Sequence, residues 1–168
     1  MNDSMTYARC GSPLGDLLLL ANGDALCGVY FAGQKHFPAL ASAWRESDEV
    51  AALRAGLEQL REYFSGSRTT FALPLAPRGT AFQRAVWNAI AAVPHGATAT
   101  YAAIAAAAGH AGSARAAGAA TGRNPLSIVI PCHRIVASNG ALTGYAGGLA
   151  RKRALLALER AGRDLLAA

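Results

Sequence analysis

A cysteine, a histidine and an arginine stand side by side in Pro131-Cys132-His133-Arg134. The apolar run Ile128-Val129-Ile130 precedes them and predicts that Cys132 lies at the end of a buried element. A free thiol is mostly protonated at neutral pH, and cationic neighbours lower its pKa, so this setting predicts an activated nucleophile. Adjacent side chains usually diverge. We therefore expect a sharp turn at Pro131, or a bridging water, to connect the thiol with the imidazole.

A base that activates a thiol generally needs a third group that holds it in one tautomer. Candidates are few, because no Asp or Glu occurs between Glu62 and Glu159. Glu159 falls on the predicted last helix, which is connected to Cys132 by enough chain to pack back against it. The alternative is that Glu159 is an exposed helical acid that pairs with Arg163 at i+4.

The charge of the chain is unevenly distributed. Residues 1–62 carry five Lys and Arg against eight Asp and Glu, whereas residues 63–168 carry eleven against two. A basic half of this kind suits a polyanion, because each neutralised phosphate releases condensed counterions. The alternative is a solvated basic face that maintains solubility.

Composition limits the classes of protein that the chain can represent. Its 168 residues, 52% hydrophobic and 15% charged, suit one globular domain or two small ones and exclude a disordered chain. The sequence has neither a membrane-spanning run nor a signal peptide, so we expect a cytoplasmic protein. Cys10, Cys27 and Cys132 form an odd set without a C-x-x-C pair, which argues against disulfides and zinc. We expect Cys10 and Cys27 to be small buried hydrophobes and predict no metal site.

The elements that must position these groups divide the chain in two. Apolar runs at residues 5–10, 17–21 and 25–31, separated by turns, predict an antiparallel meander. Apolar residues at three- and four-residue steps predict a helix over residues 47–64. A proline-containing linker at 68–79 follows. We therefore expect an α+β protein with a small N-terminal sheet-and-helix domain, residues 1–78, and a mostly helical C-terminal domain, residues 79–168.

The C-terminal domain is predicted to contain a helix-turn-helix. Thr80 and Gln83 match a capping box at the start of a first helix, which Pro94-His95-Gly96 ends. Two short helices follow, at 101–108 with Thr100 as its cap, and from about residue 113 to before Asn124. Their spacing is that of a helix-turn-helix, and a last helix runs to about residue 162.

Longer motifs give the site a family resemblance. The segment from Ile130 to Val136, followed by Thr143 to Leu149, resembles the active-site signature of the methylated-DNA–protein-cysteine methyltransferases. The similarity extends upstream through Phe82-Gln83-Arg84-Ala85-Val86-Trp87, Tyr101, Arg115-Ala116-Ala117-Gly118 and Arg123-Asn124-Pro125. It covers residues 79–162. The resemblance implies direct-reversal repair of alkylated guanine, and possible repair of alkylated thymine.

The resemblance also implies catalytic roles. Cys132 is the implied alkyl acceptor, His133 the base that acts through a water, and Glu159 the residue that orients the histidine. Asn124 is implied to brace the active-site turn and support the thiol. Tyr101 is implied to face the flipped nucleotide and its phosphate.

A second set of implied residues binds the guanine. Tyr145 walls the pocket, backbone carbonyls near Cys132 and Ile135 accept the amino hydrogens of the base, and Lys152 helps to protonate the leaving oxygen. Ala146 belongs to the pocket residues that tune the preference for a substrate. No cofactor is implied, because the protein supplies the nucleophile, the proton and the geometry.

A third set is implied to contact DNA. Arg115 fills the stack that the flipped base leaves. Further contacts are implied for the residues of the same helix and for two more arginines: Ala116, Ala117, Gly118, Arg123 and Arg134. A helix faced with Ala114, Ala117, Gly118 and Thr121 is slim, so we expect it to press into the minor groove, where little sequence is readable.

We expect the protein to be a monomer that binds double-stranded DNA containing alkylated guanine and does not bind a membrane. Two other classes stay open. One is a non-catalytic DNA-binding protein, either a helix-turn-helix regulator or a lesion sensor, although such sensors replace the acceptor cysteine that this chain keeps. The other is a cysteine hydrolase of small acyl substrates, which has no need of the basic half.

Overall fold

The computed structural model describes residues 5–167, and their side chains as far as residue 162. The first part of the chain forms one sheet packed against one helix. The strands are β1 Thr6–Cys10, β2 Leu17–Asn22, β3 Ala25–Phe31 and β4 Arg45–Glu46, and the helix is α1 Ala51–Phe64. The sheet order is β3-β2-β1-β4. The predicted antiparallel meander is confirmed, and the sequence missed only the two-residue strand β4, which pairs with β1 in parallel.

The second part is mostly helical. Its elements are α2 Ala81–Ala91, β5 Ala99–Thr100, α3 Tyr101–Ala107, α4 Ala114–Gly122, β6 Ile135–Val136 and α5 Leu149–Ala167. The short strands β5 and β6 pair in parallel. The predicted α+β fold is confirmed, with α3 and α4 forming the helix-turn-helix. No helix among residues 5–167 is long and apolar enough to cross a bilayer.

Side-chain capping fixes the starts of α2 and α3. Thr80 and Gln83 form the predicted capping box of α2, and the side chain of Thr100 caps α3. Helix α1 was predicted to start at residue 47 but begins at Ala51. The cause is competition from the sheet, because Ser47 donates its backbone N–H to the Tyr7 carbonyl at 2.9 Å.

One hydrophobic core joins the two parts of the chain. It contains Leu19 and Phe31 from the sheet together with Trp87 and Ile104 from the helices. The edge strand β3 bonds to residues 125–127, since Val29 donates to the Pro125 carbonyl at 2.8 Å and Ser127 donates to Val29 at 3.0 Å. The sheet thereby anchors the chain just before Cys132. The domain boundary predicted at residue 78 lies in the connection between α1 and α2 and stays a prediction.

Candidate active site

The segment from residue 124 to residue 134 is a series of buried turns that carries Cys132. Asn124 donates its side-chain amide to the Ile130 carbonyl at 2.8 Å and accepts the Leu126 N–H at 3.0 Å. Ile128 has φ +72°, a left-handed backbone that a β-branched residue adopts only when its surroundings impose it. Asn124 thus braces a strained segment that ends in the single 3-10 turn Cys132–Arg134.

Glu159 lies at the centre of the polar cluster beside this turn. It is fully buried, and its Oε1 lies 2.6 Å from His133 Nε2. Arg134 donates two hydrogen bonds to the same carboxylate, from Nε to Oε2 and from Nη2 to Oε1, both at 2.9 Å. The alternative of an exposed helical acid is therefore wrong, and the side chain of its supposed partner, Arg163, lies outside the described residues.

The electrostatics of this cluster select the tautomer of His133. Burial favours a raised pKa for Glu159, but hydrogen bonds from His133 and Arg134 outweigh it and hold that pKa well below its usual range. Burial lowers the pKa of His133, so the imidazole is neutral. An ionised carboxylate only accepts hydrogen bonds, so Nε2 carries the proton. The lone pair is then on Nδ1, which has no hydrogen-bond partner among the described residues.

The thiol itself is not activated in the resting protein. Burial raises the pKa of Cys132, against smaller opposing effects of the Asn124 side chain and the Lys152 charge. The expected net lowering of the thiol pKa is thus wrong, because burial outweighs the Lys152 charge and Arg134 turns away toward Glu159. Cys132 rests as a thiol. A base must remove its proton, and the unprotonated Nδ1 of His133 is the group with that capacity.

Cys132 opens onto a cleft of about 590 Å³. Tyr101, Tyr145 and Ala146, which the sequence assigned to the nucleotide and the pocket, all line this cleft. Tyr101 donates its hydroxyl to the Thr143 carbonyl at 2.9 Å. The Tyr145 hydroxyl is buried without a hydrogen-bond partner among the described residues. The cleft therefore offers aromatic walls beside the nucleophile.

Two residues assigned to the guanine do not line this cleft. The buried Lys152 ammonium donates to the carbonyls of Ile135 at 2.5 Å, Thr143 at 2.9 Å and Gly144 at 3.3 Å. Its three protons are directed at these carbonyls, so this geometry gives no support to its predicted role at the leaving oxygen. The Ile135 carbonyl has a second lone pair and can still accept from a guanine, so that role stays a prediction. In this structure Lys152 fixes the loop of the pocket wall to β6, and Ile135 is one of its anchors.

Helix α4 presents part of its predicted DNA-contact set to solvent. Arg115, Ala116 and Arg123 are exposed, and Gly118 lines the cleft. Ala117 is fully buried, so its predicted contact with DNA is wrong. Helical periodicity is the reason, because position 117 lies on the stripe that packs against α2 and α3, and abundant alanine hid this stripe in the sequence.

Two further predictions for DNA contact also need correction. Arg134 is buried, and besides its bonds to Glu159 it donates to the Val93 carbonyl at 2.6 Å. It cannot reach a phosphate. The slim face predicted for α4 included Thr121, which is buried and bonds back to the Ala117 carbonyl at 2.7 Å. The exposed face of α4 is instead made by Arg115, Ala116 and Ala119.

The N-terminal part adds two cleft residues that the sequence analysis missed. Lys35 and His36 are exposed and line the cleft beside Arg123. The Lys35 N–H donates to the Ala146 carbonyl at 2.9 Å, and His36 has φ +61°. No sequence signal marked them, because they fall outside every motif. Lys35 and Arg123 give the cleft a cationic rim.

The two remaining cysteines lie away from this site. Cys27 is buried and approaches Met5 at 3.6 Å between the sulfur atoms, and Cys10 is half-buried against the core. Cys27 agrees with the prediction of a small buried hydrophobe, whereas Cys10 is only half-buried. Among residues 5–167, no group of three or more His, Cys, Asp or Glu is arranged to hold a metal.

A helix-turn-helix beside a buried Cys-His-Glu set defines a DNA-handling protein with a cysteine nucleophile. Two family models match the chain. Residues 5–77 match the 6-O-methylguanine DNA methyltransferase ribonuclease-like domain, and residues 81–161 match the 6-O-methylguanine DNA methyltransferase DNA binding domain. The chain belongs to the methylated-DNA–protein-cysteine methyltransferase family.

Individual relatives agree over nearly the whole chain. The methylated-DNA–protein-cysteine methyltransferase of Methanosarcina acetivorans is 43% identical over 155 residues, which cover 92% of this chain and 98% of the relative. The constitutive enzyme of that name from Bacillus subtilis is 39% identical, covering 92% and 94%. The crystal structure of Mycobacterium tuberculosis OGT in complex with DNA superposes with a TM-score of 0.85, at 40% identity and 94% coverage of both chains.

Proposed function

We propose that this protein repairs alkylated guanine in duplex DNA by transferring the alkyl group to Cys132, once per protein molecule. The observation that carries the proposal is the cleft. It is lined by Cys132 together with residues of α4, the helix expected to contact DNA, and the neighbouring His133 has an Nδ1 without a hydrogen-bond partner among the described residues. An alkyl group on a guanine oxygen lies inside the duplex, so the base must be flipped out to reach such a cavity.

The proposed chemistry uses only groups of the chain and of the substrate. His133 Nδ1 takes the thiol proton through a water, and Glu159 stabilises the imidazolium that forms. The thiolate forms an S–C bond to the alkyl carbon while the C–O bond breaks. The electron pair stays on the guanine, which recovers a proton. The thiol loses one proton and the guanine gains one, so the reaction balances without a cofactor.

The DNA-facing surface of the proposal is the exposed side of α4. Arg115 projects from its start and is proposed to occupy the gap that the flipped base leaves. Arg123, with Lys35 and His36, is proposed to meet phosphates at the rim of the cleft. We propose further that the protein acts as a monomer in the cytoplasm. We also propose that residues 1–78 and residues 79–168 form two domains.

Intact-mass measurement after incubation with duplex DNA containing O6-methylguanine tests this proposal. We expect a gain of one methyl group per protein, mapped to Cys132, and no gain in Cys132→Ala. That variant should bind DNA within a few-fold of wild type, because binding comes from the basic surface. Transfer to Cys10 or Cys27 in the variant contradicts the proposal, and repeated turnover without modification of the protein indicates a hydrolase.

A further inference from the structure

The carboxylate of Glu159 has a donor from outside the active-site segment. Tyr63, at the end of α1, donates its hydroxyl to Glu159 Oε1 at 2.7 Å. This is the same oxygen that accepts from His133 Nε2 at 2.6 Å. Tyr63 is 1% exposed, so water does not replace the bond. The backbone N–H of Gly96 adds a longer bond to Oε2 at 3.1 Å.

The phenol is a permanent donor. Burial and the adjacent Glu159 charge raise the pKa of Tyr63 far above its ordinary value, so the hydroxyl keeps its proton at every physiological pH. Its ring is fixed between aromatic neighbours, with centroids 5.4 Å from Phe64, 5.6 Å from Phe71 and 6.2 Å from His95. The position of the phenolic oxygen is therefore set by packing.

We infer that Tyr63 is a positioning residue of the alkyl-transfer site, through which the N-terminal sheet-and-helix unit limits the basicity of His133. A hydrogen bond to Oε1 withdraws negative charge from the oxygen that stabilises the imidazolium. Without it, Oε1 interacts more strongly with the protonated ring, and the pKa of His133 rises. Since only neutral His133 can accept the thiol proton, the inference rests on the proposed function.

The other charged or titratable groups around His133 and Glu159 come from three further places in the fold. Arg134 contributes from the 3-10 turn, Lys152 from α5, and His95 from the loop before β5. Burial lowers the pKa of His95 below its ordinary value. A His95→Asn variant shows whether His95 itself contributes to the acidic limb of the rate profile.

The test is the pH profile of single-turnover methyl transfer from O6-methylguanine duplex DNA between about pH 5 and 8. Tyr63→Phe keeps the packed ring and removes only the hydroxyl. We expect its acidic limb to move to higher pH by about half a unit or more, which is roughly threefold slower transfer on that limb. Tyr7→Phe is the matched control, because it also removes a tyrosine bond to a glutamate, Tyr7 to Glu46 at 3.3 Å, but far from the site.

A second readout does not depend on activity. NMR of the histidine rings, with His133 assigned by the loss of its signals in His133→Gln, reports its protonation directly. We expect a raised His133 pKa in Tyr63→Phe and no change in Tyr7→Phe. If neither the limb nor the His133 signals differ between Tyr63→Phe and wild type, the inference is overturned, even when a lower melting temperature shows a structural effect. Absence of transfer in the wild type overturns the proposed function instead, and the NMR comparison still decides the role of Tyr63.

Discussion

Replacing Arg134 by methionine should destabilise the fold more than the replacement of any exposed charged residue. The substitution leaves the fully buried Glu159 carboxylate without its cation and without two hydrogen bonds at 2.9 Å. Removal of one partner of a buried ion pair typically costs about 3–5 kcal/mol, because the other charge stays desolvated. For a chain of this size that corresponds to a loss of roughly 6–20 °C in melting temperature.

The matched control is Arg68→Met. Arg68 pairs with Glu62 at 2.5 Å, but both side chains are about one-third exposed. Water compensates for an exposed pair, so the expected cost is about 0–1 kcal/mol. Urea denaturation at neutral pH compares the two variants directly. Equal losses in Arg134→Met and Arg68→Met refute the argument from burial.

The pH dependence gives a second check with a definite sign. In the wild type the pKa of Glu159 is held below its unfolded value, so the ion pair stabilises the fold above about pH 4.3 and this contribution fades as the pH falls. In Arg134→Met the pKa of Glu159 rises, and the stabilising contribution of the ion pair is lost. The difference in unfolding free energy between the variant and wild type should therefore be largest near neutral pH and shrink on acidification. A difference that widens in acid contradicts the reasoning.

Three further predictions concern the site and its helix. His133→Ala, Glu159→Gln and the double variant should slow methyl transfer by comparable factors, because the two residues act as one unit; rates that multiply in the double variant contradict this. Arg115→Ala should slow repair of duplex DNA by at least about 10-fold but leave reaction with free O6-methylguanine near wild type; equal slowing indicates a damaged pocket instead. Trp87→Phe removes the 2.8 Å bond from the indole to the Ala120 carbonyl and should cost about 1–3 kcal/mol in urea denaturation, and an unchanged midpoint refutes that role.

Local sequence information determined most of the secondary structure. The capping box of Thr80 and Gln83, the cap at Thr100 and the glycine after α3 are chemistry within a few residues of each helix end, so a short window contains it. The strands of the meander follow equally from apolar runs and turns. Residue types alone also identified Cys132 and His133, because few other residues of the chain combine a nucleophile with a base.

Tertiary structure decided where the charges point. Nothing in the order Cys132-His133-Arg134 shows that Arg134 turns toward the core and pairs with Glu159, since that depends on the packing of α5 against a 3-10 turn. The position of α5 also gives Lys152 three carbonyl partners. Packing of α4 against α2 and α3 buries Ala117, which an alanine-rich helix could not reveal from composition. The Tyr63 bond joins residues 96 positions apart. Such contacts arise only when separate elements share one core, so sequence identified the reactive groups and the fold determined their protonation, partners and exposure.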